Sequence, residues 1–211
     1  LYVGGGRPSD LPPAYLEAFL RRLGADVPGG LGGLQEATVE CNPESASPEL
    51  LDRLRAAGVG RLSLGVQALD AQNLRVLGRA STVEQNRAAL AAVAARFPTW
   101  NADLILGVPG SDAGRLVTAL DEIRAAGAPH LSFYCLEMPP SSARRLGDAG
   151  TETSEDAKAD RYERASAWAE AHGYQHYEIS NAARPGHRAL HNTLYWQGGE
   201  YVGLGPGAHS L

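Results

Sequence analysis

The feature that most constrains this chain is its alternation of short apolar strands with amphipathic helices, one pair about every thirty residues. Strands are expected at Leu1–Val3, Ala37–Cys41, Arg61–Gln67, Ala102–Val108, His130–Glu137 and His176–Ser180. Start and stop signals bound the helices between them. Asp10 stands before Pro12 and Pro13 as a cap for a helix with Leu16, Phe19, Leu20 and Leu23 in one stripe, ended by Gly24. Ser47-Pro48-Glu49 opens a second, with Leu50, Leu54 and Ala57 on one face and Gly58 as its stop. Others are expected at Ala71–Leu77, at Thr82–Ala95, through Leu116, Leu120 and Ile123, and from Ser154 past Tyr162, Ala165 and Ala169 to Gly173. Pro139–Thr153 reads as a long loop. Each strand needs a crossover to return beside its predecessor, so the strands run parallel.

Such a sheet is either open and doubly wound or curled into a barrel. An open sheet gathers its ligand chemistry at one switch point, whereas a barrel carries it at the carboxyl end of strand after strand. Here the polar and glycine-rich departures all fall at the carboxyl ends of strands: Gly4–Arg7, Glu40–Asn42, Gly65–Gln67, Gly107–Gly110 and Glu137. Asp103 lies within the apolar run Ala102–Val108. A carboxylate there is costly unless it faces a polar barrel interior or a ligand. The expected fold is α/β, a partial (β/α) barrel of parallel strands with crossover helices.

Composition narrows the function. A chain of 211 residues suits one domain, and 44% hydrophobic with 20% charged residues is ordinary for a globular fold. Net charge is −5 with no Lys/Arg run, which argues against a nucleic-acid partner. No apolar run reaches the length of a membrane span and no signal peptide precedes the first strand, so a cytoplasmic protein is expected. Its two cysteines, Cys41 and Cys135, are far apart in strand-like runs and read as free, buried thiols.

The last segment stands apart. His191–Ser210, HNTLYWQGGEYVGLGPGAHS, combines two histidines, the pair Tyr195–Trp196 and five glycines. Glycine at that density marks positive φ or close approach of backbone to a ligand. Imidazole, indole and phenol beside such a turn suit a flat aromatic or metal-bearing ligand, while a glycine-rich hairpin closing a core is the plainer reading.

Several strings in order resemble a known family. They are G-G-G-R-P at Gly4–Pro8, V-E-C-N-P at Val39–Pro43, R-L-S-L-G-V-Q at Arg61–Gln67 and V-L-G-R at Val76–Arg79. N-A-D-L-I-L-G-V-P-G at Asn101–Gly110, H-L-S-F-Y-C-L-E-M-P from His130, H-N-x-x-Y-W at His191–Trp196 and the closing G-L-G-x-G-A-H-S continue the series. Together they resemble the radical S-adenosylmethionine (radical SAM) proteins, in the group of heme chaperones and oxygen-independent coproporphyrinogen III dehydrogenases. The resemblance implies a SAM site formed by Gly5, Gly6, Arg7, Glu40, Gln67, Arg79, Asp103, Glu137 and His209. Gly5 and Gly6 would meet the methionyl end and Glu137 the adenine end. Arg7 stands where the family has threonine, and Cys41 where it has alanine. Heme would meet His191, a candidate iron ligand, with Asn192, Tyr195 and Trp196 around it.

The same resemblance implies a [4Fe–4S] cluster on a C-x-x-x-C-x-x-C loop that precedes G-G-G-T-P in the family. Two cysteines cannot replace three thiolates, so this chain alone is expected to hold no cluster and to cleave no SAM. A piece of a longer protein is expected, lacking the first barrel strand with its cluster loop and a C-terminal domain. The H-N-x-x-Y-W string favours a heme chaperone serving client heme proteins. A coproporphyrinogen III dehydrogenase, decarboxylating two propionates by radical chemistry, and a cofactor-free interaction scaffold are the alternatives.

Overall fold

The computed structural model describes residues 1–137 and 154–211. The loop expected at Pro139–Thr153 lies outside the described residues. Five parallel strands lie side by side in chain order: β1 (Tyr2–Val3), β2 (Thr38–Cys41), β3 (Arg61–Gln67), β4 (Thr99–Leu106) and β5 (His130–Cys135). After β5 come β7 (Asn181–Ala183) and the edge strand β6 (Gln175–His176), with β7 antiparallel to both neighbours. The parallel strand expected at His176–Ser180 is therefore replaced by a short antiparallel pair. Only four residues join β6 to β7, too few for a crossover and enough for a hairpin.

The helices are α1 (Pro13–Leu23), α2 (Pro48–Ala56), α3 (Ala71–Val76), α4 (Val83–Ala94), α5 (Ala113–Ala125), α6 (Glu155–Ala171) and α7 (Leu190–Trp196). Most begin on a side-chain cap that satisfies an otherwise orphaned N–H. Ser47, Asp70, Asp112 and Ser154 accept from the amides of Leu50, Asn73, Arg115 and Ala157. Thr82 and Gln85 form a reciprocal capping box on α4. The first helix departs from expectation. Asp10 does not cap it but ends a 3-10 turn, where its carboxylate accepts from Ser45 Oγ at 2.5 Å and pairs with Arg7. Its buried stripe is also narrower: Leu16 and Leu20 are fully buried, while Phe19 and Leu23 are exposed, because α1 packs at the sheet edge beside α2.

Strand alternation sorts the sheet into two unlike faces. Val39, Cys41, Leu62, Leu64, Val66, Trp100, Ala102, Leu104, Leu106, Leu131 and Phe133 join one core with Leu20, Leu50, Leu54, Leu90, Val93, Leu120, Ile123 and Trp168 from the helices. Each large side chain so buried stabilises the fold by roughly 1.5–3 kcal/mol. The intervening strand residues, Glu40, Ser63, Asn101, Asp103, His130 and Ser132, turn to the other face and bond to one another or to groups on that face. Helices on one face and polar chemistry on the other is the arrangement of a partial barrel, and a doubly wound sheet is thereby ruled out.

One backbone feature anticipates the site. Gln67 has φ +64°, in the left-handed region, and the Ala68 amide reaches back to the Val66 carbonyl at 2.8 Å. This is the rare, strained form of γ-turn. Asn86, fully buried on α4, holds it by donating from Nδ2 to the carbonyls of Val66 and Ala68, both at 2.9 Å. Asn86→Leu should therefore lower stability by about 1–2 kcal/mol, the low end for stranded buried carbonyls, because Asn86 Oδ1 itself has no partner among the described residues. Urea unfolding of the two proteins measures this.

Candidate functional site

The concave face is built in layers, because registered residues of parallel strands point to the same side. Thr38, Arg61 and Thr99 form the layer nearest the strands' amino ends. Above them come Glu40, Ser63, Asn101 and His130, and then Asp103 with Ser132 and Asn181. Asn101 Nδ2 donates to Ser63 Oγ at 2.9 Å and to Asp103 Oδ1 at 2.5 Å, and Ser63 Oγ donates to Asp103 Oδ2 at 3.3 Å. With its amide nitrogen so engaged, Asn101 Oδ1 must accept from His130 Nδ1–H at 2.5 Å. His130 Nε2 is then bare and accepts the Tyr177 hydroxyl at 2.7 Å. Burial holds the His130 pKa well below its usual value, with Arg61 adding to the effect, so the ring is neutral as this bonding requires.

Glu40 is held from two sides. Tyr2 Oη donates to its Oε1 at 2.6 Å, and the Gly5 amide donates to Oε2 at 3.0 Å. Gly4 makes room for this: a Cβ there would stand 2.5 Å from the Tyr2 ring and 2.6 Å from the Glu40 carboxyl. Gln67 needs the same accommodation, since a Cβ on Gly65 would lie 2.8 Å from its Nε2. Asp103 is the most perturbed carboxyl of the group. Desolvation, aided by the charge of Glu40, raises its pKa to about 6 against the pull of the Asn101 hydrogen bond.

The structure thus brings Gly5, Glu40 and Asp103 toward one mouth, sets Gln67 at the carboxyl end of β3 with its amide beside Gly65, and leaves other sequence-predicted residues elsewhere. Gly6 is exposed in the turn after β1 with φ +62°. Arg7 turns its guanidinium to Asp10 and to Glu44, the latter at 2.5 Å. Arg79 is exposed between α3 and α4, and Glu137 is exposed two residues beyond β5. His209 is exposed in a terminal segment closed on itself by mutual backbone bonds of Tyr201 and Leu211.

The glycine-rich hairpin expected at the tail is absent at its start. His191–Trp196 is helical, lying in α7. Because β7 runs antiparallel, the chain emerges at the amino ends of the strands, where Glu36 accepts the amides of Leu190 and His191 at 2.9 and 3.2 Å. His191 is half-buried, stacked on Tyr2 with centroids 4.3 Å apart and edge-on to Tyr195 at 4.4 Å. Its ring makes no hydrogen bond among the described residues, and desolvation lowers its pKa, keeping the imidazole neutral. Asn192 lies beside the Tyr177 hydroxyl, while Tyr195 and Trp196 remain 44% and 59% exposed. Tyr2 therefore touches both groups of candidates, through its ring to His191 and its hydroxyl to Glu40.

Sequence reasoning missed Tyr2, Ser63, Asn101, His130 and Ser132. The available signal was parity: polar residues at 61, 63 and 67, at 101 and 103, and at 130 and 132 recur with period two inside strands of otherwise apolar character. The cysteines also correct one expectation. Cys41 is buried and desolvation pushes its thiol up to about 12, but Cys135 is exposed. Both belong to the helix-facing parity of their strands, and the described residues contain no cluster of His, Cys, Asp and Glu able to hold a metal. A [4Fe–4S] cluster does not fit the residues of this chain.

Two tests follow from this geometry. The Asp103 carboxyl binds its proton more tightly folded than unfolded, so it disfavours the folded state above pH 6 and this penalty fades as pH falls toward 4. Asp103→Asn should be more stable than the parent at pH 7 by about 2 kcal/mol, with the advantage vanishing near pH 4, as read by denaturation across pH. Gln67→Gly should match or exceed the parent's melting temperature, since glycine accepts φ +64° freely. Its SAM affinity, measured calorimetrically in the full-length protein, should nevertheless fall.

Comparison with known proteins agrees with the layout. Residues 1–123 match the family model of the Radical SAM superfamily. The heme chaperone HemW of Mycobacterium tuberculosis is 40% identical over 99% of this chain and 54% of its own length, and that of Escherichia coli is 35% identical over 99% and 55%. The mitochondrial radical S-adenosyl methionine domain-containing protein 1 of Bos taurus is 34% identical over 99% of this chain and 48% of its own. Among solved structures, coproporphyrinogen III oxidase (HemN) from Escherichia coli, described as a radical SAM enzyme, superposes with a TM-score of 0.82 at 25% identity, covering all of this chain and 51% of that one. The chain spans about half the length of the curated relatives it matches. With a mostly parallel sheet, a polar concave face and this match in sequence, the chain belongs to the radical SAM superfamily.

Proposed function

We propose that this chain is the SAM-binding barrel portion of a heme chaperone, with SAM at the mouth formed by Gly5, Glu40, Gln67 and Asp103 and heme carried at α7. The observation that supports it best is the state of His191. Its imidazole is neutral, free of hydrogen bonds among the described residues, and framed by the rings of Tyr2 and Tyr195. A neutral imidazole with open nitrogens is what heme iron takes as an axial ligand. The exposed Tyr195 and Trp196 supply flat apolar surface for a porphyrin face.

At the mouth the chemistry suits a zwitterionic, ribose-bearing ligand. Glu40 can receive an ammonium or hydroxyl group in place of the Gly5 amide, and the side-chain amide of Gln67 can both donate and accept. Asp103, poised near pH 6, accepts from ligand hydroxyls once ionised. No radical step belongs to this chain by itself, since its cysteines do not fit a cluster. The role proposed for it is delivery of heme to respiratory client proteins, in keeping with relatives named as heme chaperones. The alternative is porphyrinogen oxidation, favoured by the HemN superposition; the higher identity to the chaperones and the open His191 weigh against it.

In the full-length protein, His191→Ala should weaken heme binding by at least about tenfold in a Soret titration, worth ~1.4 kcal/mol. SAM affinity should change little, because Tyr2 keeps its bond to Glu40. Equal heme binding by variant and parent would return His191 to a purely packing role. Release of the decarboxylated porphyrinogen from coproporphyrinogen III would transfer the assignment to the dehydrogenase.

A further inference from the structure

At the amino ends of the strands, opposite the SAM mouth, lies a cavity of about 280 Å³ lined in part by Arg61, Thr99, Glu36, Arg188, Leu34 and Leu190. Arg61 is only 4% exposed, on the concave parity of β3, two residues below Ser63. Among the described residues it has no ion pair within 4.0 Å and no side-chain hydrogen bond, and its Nε is enclosed without a partner. Thr38 Oγ1, on the register partner of Arg61 in β2, is likewise buried and unpartnered. Neither of the other charged residues of the cavity named here forms an ion pair with it among the described residues. Glu36 gives both carboxylate oxygens to the amides of α7, and Arg188 rests over the Tyr177 ring while donating to Gln175.

Burying a guanidinium with no anion paired to it is costly. Its planar fork matches a carboxylate. The position is telling as well: Leu190, which lines the cavity, immediately precedes His191, and the Arg61 charge is felt at Tyr2, His191 and Tyr177. A porphyrin liganded by His191 carries two propionates on one edge. We infer that Arg61, with Thr38 beside it, is the anchor for a propionate carboxylate of the porphyrin cargo. The inference rests on the heme reading above and adds to it the group that orients the ligand. His191 takes the iron and Arg61 takes the acidic edge.

The test uses the full-length protein and two probes, heme and heme dimethyl ester, whose propionates are blocked. The parent should bind heme at least about tenfold more tightly than the ester, and Arg61→Met should reduce both to the ester's affinity. Arg61→Lys, which retains the charge without the fork, should keep only part of the preference and guards against a failure of Arg61→Met to fold. Equal affinity of the parent for heme and its ester overturns the assignment whatever the variants do, and includes the case in which the site takes a carboxylate from another source. An unchanged preference in both variants overturns it too, while leaving heme binding at His191 standing. If the parent gives no Soret change with either probe, the heme reading itself falls and this inference with it.

Discussion

The hydrogen-bonded chain from Tyr177 through His130 and Asn101 to Asp103 is the interaction on which the rest of the concave face depends. A sheet whose helices cover one face must either bury a second apolar surface or satisfy a polar one. Here the polar solution is carried by groups that have few alternatives in direction. Asn101 cannot turn its amide without losing both Asp103 and His130, and a protonated His130 would need a second acceptor where a tyrosine hydroxyl already donates. The chain runs between the hairpin β6–β7, which supplies Tyr177, and the mouth, which holds Asp103. It ties the antiparallel part of the sheet to the site made by the parallel part.

A second tie, through Tyr2, works at the opposite edge. Its ring lies against His191 and its hydroxyl on Glu40, so the helix that carries the heme candidates and the turn that carries the SAM candidates share one side chain. The two proposed ligands would thus occupy opposite ends of one polar lumen rather than one common pocket. Such an arrangement gives each a physical influence on the other through Tyr2, without requiring them to touch. It also explains why the strained turn at Gln67 is supported from behind by Asn86: the mouth is built on backbone that would relax if left unheld.

How much of this was legible in the residues differs from element to element. The parallel order of β1 to β5 followed from alternation and length, because a crossover of helix length allows no other pairing. Caps at Ser47 and Ser154 followed from local chemistry, since a hydroxyl reaches only the amides just ahead of it. The candidates Glu40, Gln67 and Asp103 were read from motif and from the oddity of an acid in an apolar strand; strand parity set Glu40 and Asp103 on one face, and Gln67 follows a register shift at the end of β3. Asp10 was misjudged as a cap because Ser45, thirty-five residues away, competes for its carboxylate. Cys135 was misjudged as buried because strand parity alone says nothing of whether a helix covers that position.

What the sequence by itself determined is therefore the class of fold and the order of its parallel strands, both of which rest on spacing along the chain. What only the tertiary structure decided is the reversal of β7, the helical form of His191–Trp196 and their place at the amino ends of the strands. It also decided that Arg61 is buried with no ion pair among the described residues and that Tyr2 bridges the two groups of candidates. The reason is physical: local chemistry fixes a helix start or a strand's parity within a few residues. Which polar groups meet across the sheet depends on register and curvature summed over seven strands, and no single segment contains that information.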